Sequence, residues 1–221
     1  MIFRSIYLDL DRIEFGNEFG YSFLLQSRAL CHFLQRKVKP IKFKSDGFNR
    51  LVVKGTKKKV EPFINSSNVL SVRVPFKEEA YRSSESTEDL NEFYIEMLKE
   101  GMNLGDALSP LPIKAINEGI REFRESGYST SWSTPRRRQR ERALIAFLEC
   151  QLSINSFELY LVIERKKEQI YRDKILVTDP DEIAFHYRFK DIVFGNDTLT
   201  VTSKTSEPLL TMNLKEIEHK K

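Results

Sequence analysis

Between Thr87 and Phe123 the apolar residues return every third or fourth position, and from Tyr128 onward they return every second one. A helix needs 3.6 residues per turn while a strand sends alternate side chains to opposite faces, so the two stretches demand different local structure. The first places Leu90, Phe93, Tyr94, Met97, Leu98 and Met102 on one face, and Ile113, Ile116, Ile120 and Phe123 on another. That predicts two amphipathic helices. Pro110 and Pro112 separate them, the 105–112 connection is short and Gly127 is placed to end the second helix, so the pair reads as antiparallel. The second stretch predicts strands over 144–154, 157–164, 171–177, 183–189, 192–194, 199–202 and 209–214. Gly195-Asn196-Asp197 and Asn155-Ser156 supply turns. Phe157, Leu159, Leu161 and Ile163 alternate with Glu158 and Glu164, the pattern of a sheet with one wet face.

Upstream, Ile2, Ile6, Leu8 and Leu10 predict a first strand with Asp9 and Asp11 opposite, and Gly16 and Gly20 mark a turn region. Ser27 is placed to cap a helix over 28–36, with Leu30, Phe33 and Leu34 inward. Strands are expected over 38–44, 50–54 and 69–76, with Asp46-Gly47 turning between the first two, and 77–87 is a polar connection. The order predicts an α+β fold: a mainly antiparallel sheet, two antiparallel helices in the middle of the chain and a C-terminal β-meander. The 221 residues read as a single domain, 1–221. Its alternative sub-division is a β-rich basic lobe, 1–77, and a helical pair plus meander, 78–221. Sixteen Phe and eight Tyr predict an aromatic core. The tail over 216–221 is expected to fray.

Charge is segregated along the chain. Residues 28–59 hold eleven Lys or Arg against Asp46 alone, whereas 78–125 holds twelve Asp or Glu against five Lys or Arg. Within the acidic stretch Glu88, Glu92, Glu96 and Glu100 recur every fourth residue and fall on one helix face. Like charges at that spacing repel by a few tenths of a kcal/mol per pair, roughly 0.2–0.5. A coherent negative face speeds encounter with a basic partner. Tyr94, Tyr128 and Trp132, at or near the helix ends, are the candidate aromatic contacts.

Reactive constellations are scarce. His32, His186 and His219 pair with no other ligand at metal spacing, and no nucleophile-elbow or phosphate-loop motif occurs. Gly101 and Gly105 read as helix-end or close-packing residues. No metal or other cofactor is expected. Cys31, in a helix, and Cys150, in a strand, are expected to be buried free thiols. The first residues lack a secretory-signal pattern, and no apolar run approaches the ~18 residues of a membrane span. A cytoplasmic location without membrane contact is expected.

Two features favour a nucleic-acid reading as the alternative. Arg136, Arg137, Arg138, Arg140 and Arg142 form the densest basic run, able to meet phosphates or to stand as a solvated loop. Glu164-Arg165-Lys166 has the Glu-x-Lys spacing of restriction-type nucleases, in which the carboxylate binds a metal and the lysine meets the phosphate. Its required upstream acid has no supporting motif.

The stretches Glu92-Phe93-Tyr94-Ile95-Glu96-Met97-Leu98-Lys99-Glu100-Gly101 and Ile120-Arg121-Glu122-Phe123-Arg124-Glu125-Ser126-Gly127-Tyr128 resemble small bacterial immunity proteins of polymorphic-toxin systems. The segment 157–195, with Pro180-Asp181-Glu182-Ile183 and Phe185-His186-Tyr187-Arg188-Phe189, adds to the likeness. The resemblance spans about the C-terminal two-thirds. It implies a bacterial, cytoplasmic non-enzyme that neutralises a cognate protein toxin by binding it. Glu88, Glu92, Glu96 and Glu100, with Tyr94, Tyr128 and Trp132, are then the expected contacts. Immunity proteins against nucleases are often acidic, and the net charge of +4 departs from that.

Overall fold

The computed structural model describes residues 1–58, 60–186 and 188–218, and Lys59, Tyr187 and residues 219–221 lie outside them. The chain divides into two compact units. One comprises Met1–Thr130 with Ser153–Asn155; the other comprises Ser131–Leu152 and the chain from Ser156 onward. The division considered after residue 77 coincides with neither boundary.

The first unit runs β1 (Ser5–Leu10), α1 (Arg12–Phe15), α2 (Asn17–Gln26), α3 (Arg28–Val38), a 3-10 turn (Lys39–Ile41), β2 (Arg50–Thr56), β3 (Phe63–Ile64), β4 (Val69–Pro75), α4 (Glu78–Arg82), α5 (Thr87–Leu108) and α6 (Ile113–Glu125). Its sheet has the order β1-β2-β4-β3. β1, β2 and β4 are mutually parallel, and only β3 is antiparallel to its neighbour. Ile6, Leu8, Leu10, Leu51, Val53, Leu70, Val72 and Val74 are fully buried and alternate with half-exposed residues. Helices α2 and α3 lie against β1, and α5 lies against β2 and β4.

Close approach explains how α5 is seated. A Cβ on Gly101 would stand 2.4 Å from Val53 Cγ2, and one on Gly105 would stand 3.2 Å from Val72 Cγ2. The two glycines let the helix backbone rest on the β-branched layer, as the close-packing expectation held. The helix starts in a capping box, with the Ser86 hydroxyl accepting from Asp89 N–H and the Asp89 carboxylate accepting from Ser86 N–H. Gly127, at φ +69°, and Tyr128, at φ +57°, turn the chain after α6. Beside α5, Phe15, Phe19, Phe23, Phe76, Tyr81, Phe93 and Tyr94 form a network of largely edge-to-face rings. Tyr81 and Tyr94 both donate to Gln26 Oε1, at 2.6 and 3.0 Å.

The second unit runs from β5 (Thr130–Ser133), whose first residue closes the first unit, through β6 (Arg137–Gln139), β7 (Leu144–Leu152), β8 (Phe157–Arg165), β9 (Glu168–Thr178), α7 (Glu182–His186), β10 (Asp191–Phe194), β11 (Thr198–Thr202) and β12 (Pro208–Asn213) to α8 (Leu214–Glu218). One sheet has the order β5-β7-β8-β9 with β6 also on β7, and the other has the order β10-β11-β12. Pairings β6–β7, β7–β8, β8–β9, β10–β11 and β11–β12 are antiparallel. The fold is α+β with largely antiparallel sheets.

Several local expectations are corrected. Residues 38–44 form no strand, because Val38 ends α3 and Lys39–Ile41 is a 3-10 turn holding Pro40; only Lys44 bridges, to Ile2. Gly16 breaks the chain at φ +83°, but Gly20 lies inside α2. Ser27 precedes α3, yet its hydroxyl donates to Leu24 O instead of capping. The strand expected over 183–189 is replaced at its start by α7. The tail is helical through Glu218, with Ile217 buried. Cys31 and Cys150 are buried free thiols.

Candidate functional site

β9 and β12 are each the last strand of their sheet, so each keeps one edge without a strand partner among the described residues. A cleft of about 590 Å³ is lined by both. β9 contributes Tyr171, Asp173, Lys174, Ile175 and Leu176; β12 contributes Leu209 and Leu210. Ser203, Lys204 and Thr205 of the β11–β12 turn, with Arg188 and Phe189, complete the lining. The β9 backbone is irregular here: Tyr160 pairs Lys174 while Leu159 pairs Leu176, leaving Ile175 as the extra residue. A bulge of this kind re-aims side chains at a sheet edge.

The cleft joins apolar surface to net positive charge. Ile175, Leu176, Phe189, Leu209 and Leu210 are its apolar part, and Leu209 is 47% exposed. Lys174 sits 2.9 Å from Glu158 and faces the Tyr160 ring. Asp173, the only carboxylate in the lining among the described residues, accepts from Tyr171 O–H at 3.2 Å. Burial raises the Tyr171 phenol pKa, and the Asp173 charge adds to the shift. The arrangement suits an extended apolar segment carrying acidic groups.

The glutamate stripe does lie on α5, but its charges are largely engaged within the chain. Glu92 receives Arg124 Nε and Nη2 at 2.6 and 2.5 Å, and Tyr128 O–H at 2.9 Å. Arg124 holds its carboxyl below the ordinary range, outweighing the effect of burial. Glu96 pairs with Lys99 at 2.7 Å, Glu100 lies 3.9 Å from Lys77, and Glu88 accepts weakly from Tyr128 at 3.4 Å. Early α5 thus meets late α6, which makes the helices antiparallel. Tyr94 is corrected as a surface contact: it has no exposed area and belongs to the aromatic core. Trp132 is half-buried and tilted on Phe157.

The arginine run is likewise tied down. It includes an edge strand, β6, on β7. Arg136 bonds Glu164 at 2.5 and 3.2 Å and lies 4.3 Å from the Phe147 ring centroid. Arg137 grips Asp191 at 2.5 and 2.9 Å, and Arg142 pairs with Asp197. Arg138 and Arg140 are exposed and form no ion pair among the described residues. Glu164 is therefore occupied by a guanidinium, while Lys166 sits in the β8–β9 turn with Lys167, at φ +50° and +75°. Among the described residues no group of three His, Cys, Asp or Glu side chains is placed to hold a metal, and no helix is long and apolar enough to cross a membrane.

Sequence reasoning missed the cleft, because strand order decides which edges stay open. The one available signal was Leu209, an apolar residue beside Pro208 in a short final strand. No family model, curated protein or solved structure matches this chain.

Proposed function

We propose that this chain is a non-enzymatic binding protein, and specifically a cytoplasmic bacterial immunity protein that neutralises a cognate toxin by occluding it. The observation that carries this reading is the cleft lined by the open edges of β9 and β12. An open edge presents unpaired N–H and C=O groups, and an extended partner segment satisfies them by adding a strand. Leu209, Leu210 and Phe189 bury its apolar side chains, while Arg188 and Lys204 favour acidic ones. The glutamates of α5 steer less than their spacing promised, since Arg124, Lys99 and Lys77 balance them. The nucleic-acid alternative loses support at the arginine run for the same reason.

Co-expression with a toxin encoded beside this chain tests the reading. The parent chain should restore growth and form a complex. Leu209→Asp and Arg188→Glu should each weaken that complex about tenfold or more without unfolding the protein. Unchanged affinity in both variants would move the contact away from the cleft. Failure of the parent chain to bind or protect would end the immunity reading.

A further inference from the structure

Parallel sheets are ordinarily covered on both faces. In the first unit α2, α3 and α5 pack on the apolar side of the sheet, and the opposite side keeps part of its surface in solvent. Strand register resolves that side into rows. Tyr7, Val52, Ser71 and Phe63 stand side by side across β1, β2, β4 and β3. Asp9, Lys54 and Arg73 form the next row toward the strand C-termini, and Arg50 belongs to the row on the other side.

The middle row has Val52 and Ser71 at its centre and an aromatic ring at each end. Three strand spacings separate Tyr7 from Phe63, roughly 14 Å, and neighbouring rows lie roughly 7 Å apart. Phe63 is 41% exposed, and Arg50 stands 5.9 Å from the Tyr7 ring centroid. Arg50, Lys54 and Arg73 form no ion pair within 4.0 Å among the described residues; Asp9, beside Lys54 in register, interacts with the Lys54 charge and has Arg12 at 4.0 Å. The Nε of Arg73 is buried without a hydrogen-bond partner.

We propose that this face binds a short stretch of single-stranded nucleic acid, with bases stacked on Tyr7 and Phe63 and phosphates against Arg50, Lys54 and Arg73. Stacking on aromatic rings is tolerant of sequence because every base has a π-face, and sheet surfaces bearing such rings suit unpaired bases. A duplex hides its base faces and leaves the rings unused. A chain of carboxylates alone would meet the cations and also leave the rings unused.

Fluorescence anisotropy with the full chain and labelled oligo-uridine and oligo-thymidine of about ten nucleotides tests the proposal. Binding should weaken as salt rises from about 50 to 200 mM, with a logarithmic slope near −2 for three phosphate contacts. Phe63→Ala and Tyr7→Ala should each lower affinity about tenfold, and Tyr7→Phe should retain it. Lys54→Gln should reduce the slope by about 0.7. Phe63 is exposed, so its removal reports on contact even if the Tyr7→Ala variant unfolds. Arg138→Gln with Arg140→Gln should leave affinity unchanged. Absence of binding at low salt overturns the proposal. So does equal binding of polyglutamate or duplex, insensitive to loss of either ring, which would mark a plain cationic patch.

Discussion

Arg124 lays Nε and Nη2 on the two carboxylate oxygens of Glu92, joining the end of α6 to the beginning of α5. Tyr128, just past α6, closes the same carboxylate from another side. A spacing that looks like uncompensated repulsion in the sequence is, at this residue, a clasp between two helices.

Glu92→Gln should therefore destabilise the protein by about 1 kcal/mol, the upper range for a partly exposed bidentate pair. Glu96→Gln should stay within about 0.5 kcal/mol of the parent, since losing Lys99 is offset by relief from neighbouring glutamates. Urea denaturation of both variants checks this. A more stable Glu92→Gln variant would show that repulsion along α5 outweighs the clasp.

The clasp also sets a pH dependence. The Glu92 pKa is lowered from the ordinary 4.5, so its contribution is present above that value and fades as pH falls through the folded-state pKa. The stability difference between the parent and Glu92→Gln should be constant near neutrality and shrink from about pH 5 downward. Denaturation midpoints along an acid series measure it. A difference that holds at low pH would assign the effect to packing instead of charge.

Gly101→Ala improves intrinsic helix propensity by about 1 kcal/mol but drives a methyl group into Val53. The steric term should win, with a net loss of about 2 kcal/mol. Adding Val53→Ala should recover part of it, because the shorter side chain vacates the contact. Thermal unfolding of the single and double variants decides. No loss in the single variant would mean that α5 shifts away at little cost.

The arginines should separate into two classes. Arg136→Ala removes the Glu164 bonds and the Phe147 stacking and should lower stability by about 1 kcal/mol. Arg138→Ala and Arg140→Ala should stay within about 0.5 kcal/mol of the parent. Equal effects across the three would contradict the structural assignment of the run.

The C-terminal strands were legible because each pairs with a near neighbour, and Gly195-Asn196-Asp197 does turn β10 into β11. The N-terminal sheet was legible as strands but not as parallel ones. A parallel sheet with one wet face alternates just as an antiparallel one does, so period carries no direction. The start of α5 was readable at Thr87, although the capping residue is Ser86, and the burial of Tyr94 was not readable. Its phenol is satisfied by Gln26, from a helix far away in sequence. The glutamate stripe and the arginine run were legible in the sequence but their ion-pair partners were not, because these come from other elements: Arg124 for Glu92, Asp191 for Arg137, Glu164 for Arg136.

The parallel pairing of β1 with β2 has a kinetic consequence. β1 ends at Leu10 and its partner begins only at Arg50, with α1, α2, α3 and a 3-10 turn in between. Closing so long a loop must precede any reward from strand pairing, whereas β7, β8 and β9 meet through short turns. The strand synthesised first thus waits for its neighbour, and the hairpins synthesised later can form as soon as they emerge. In refolding of the full chain the hairpins of β7, β8 and β9 should therefore form ahead of the parallel sheet.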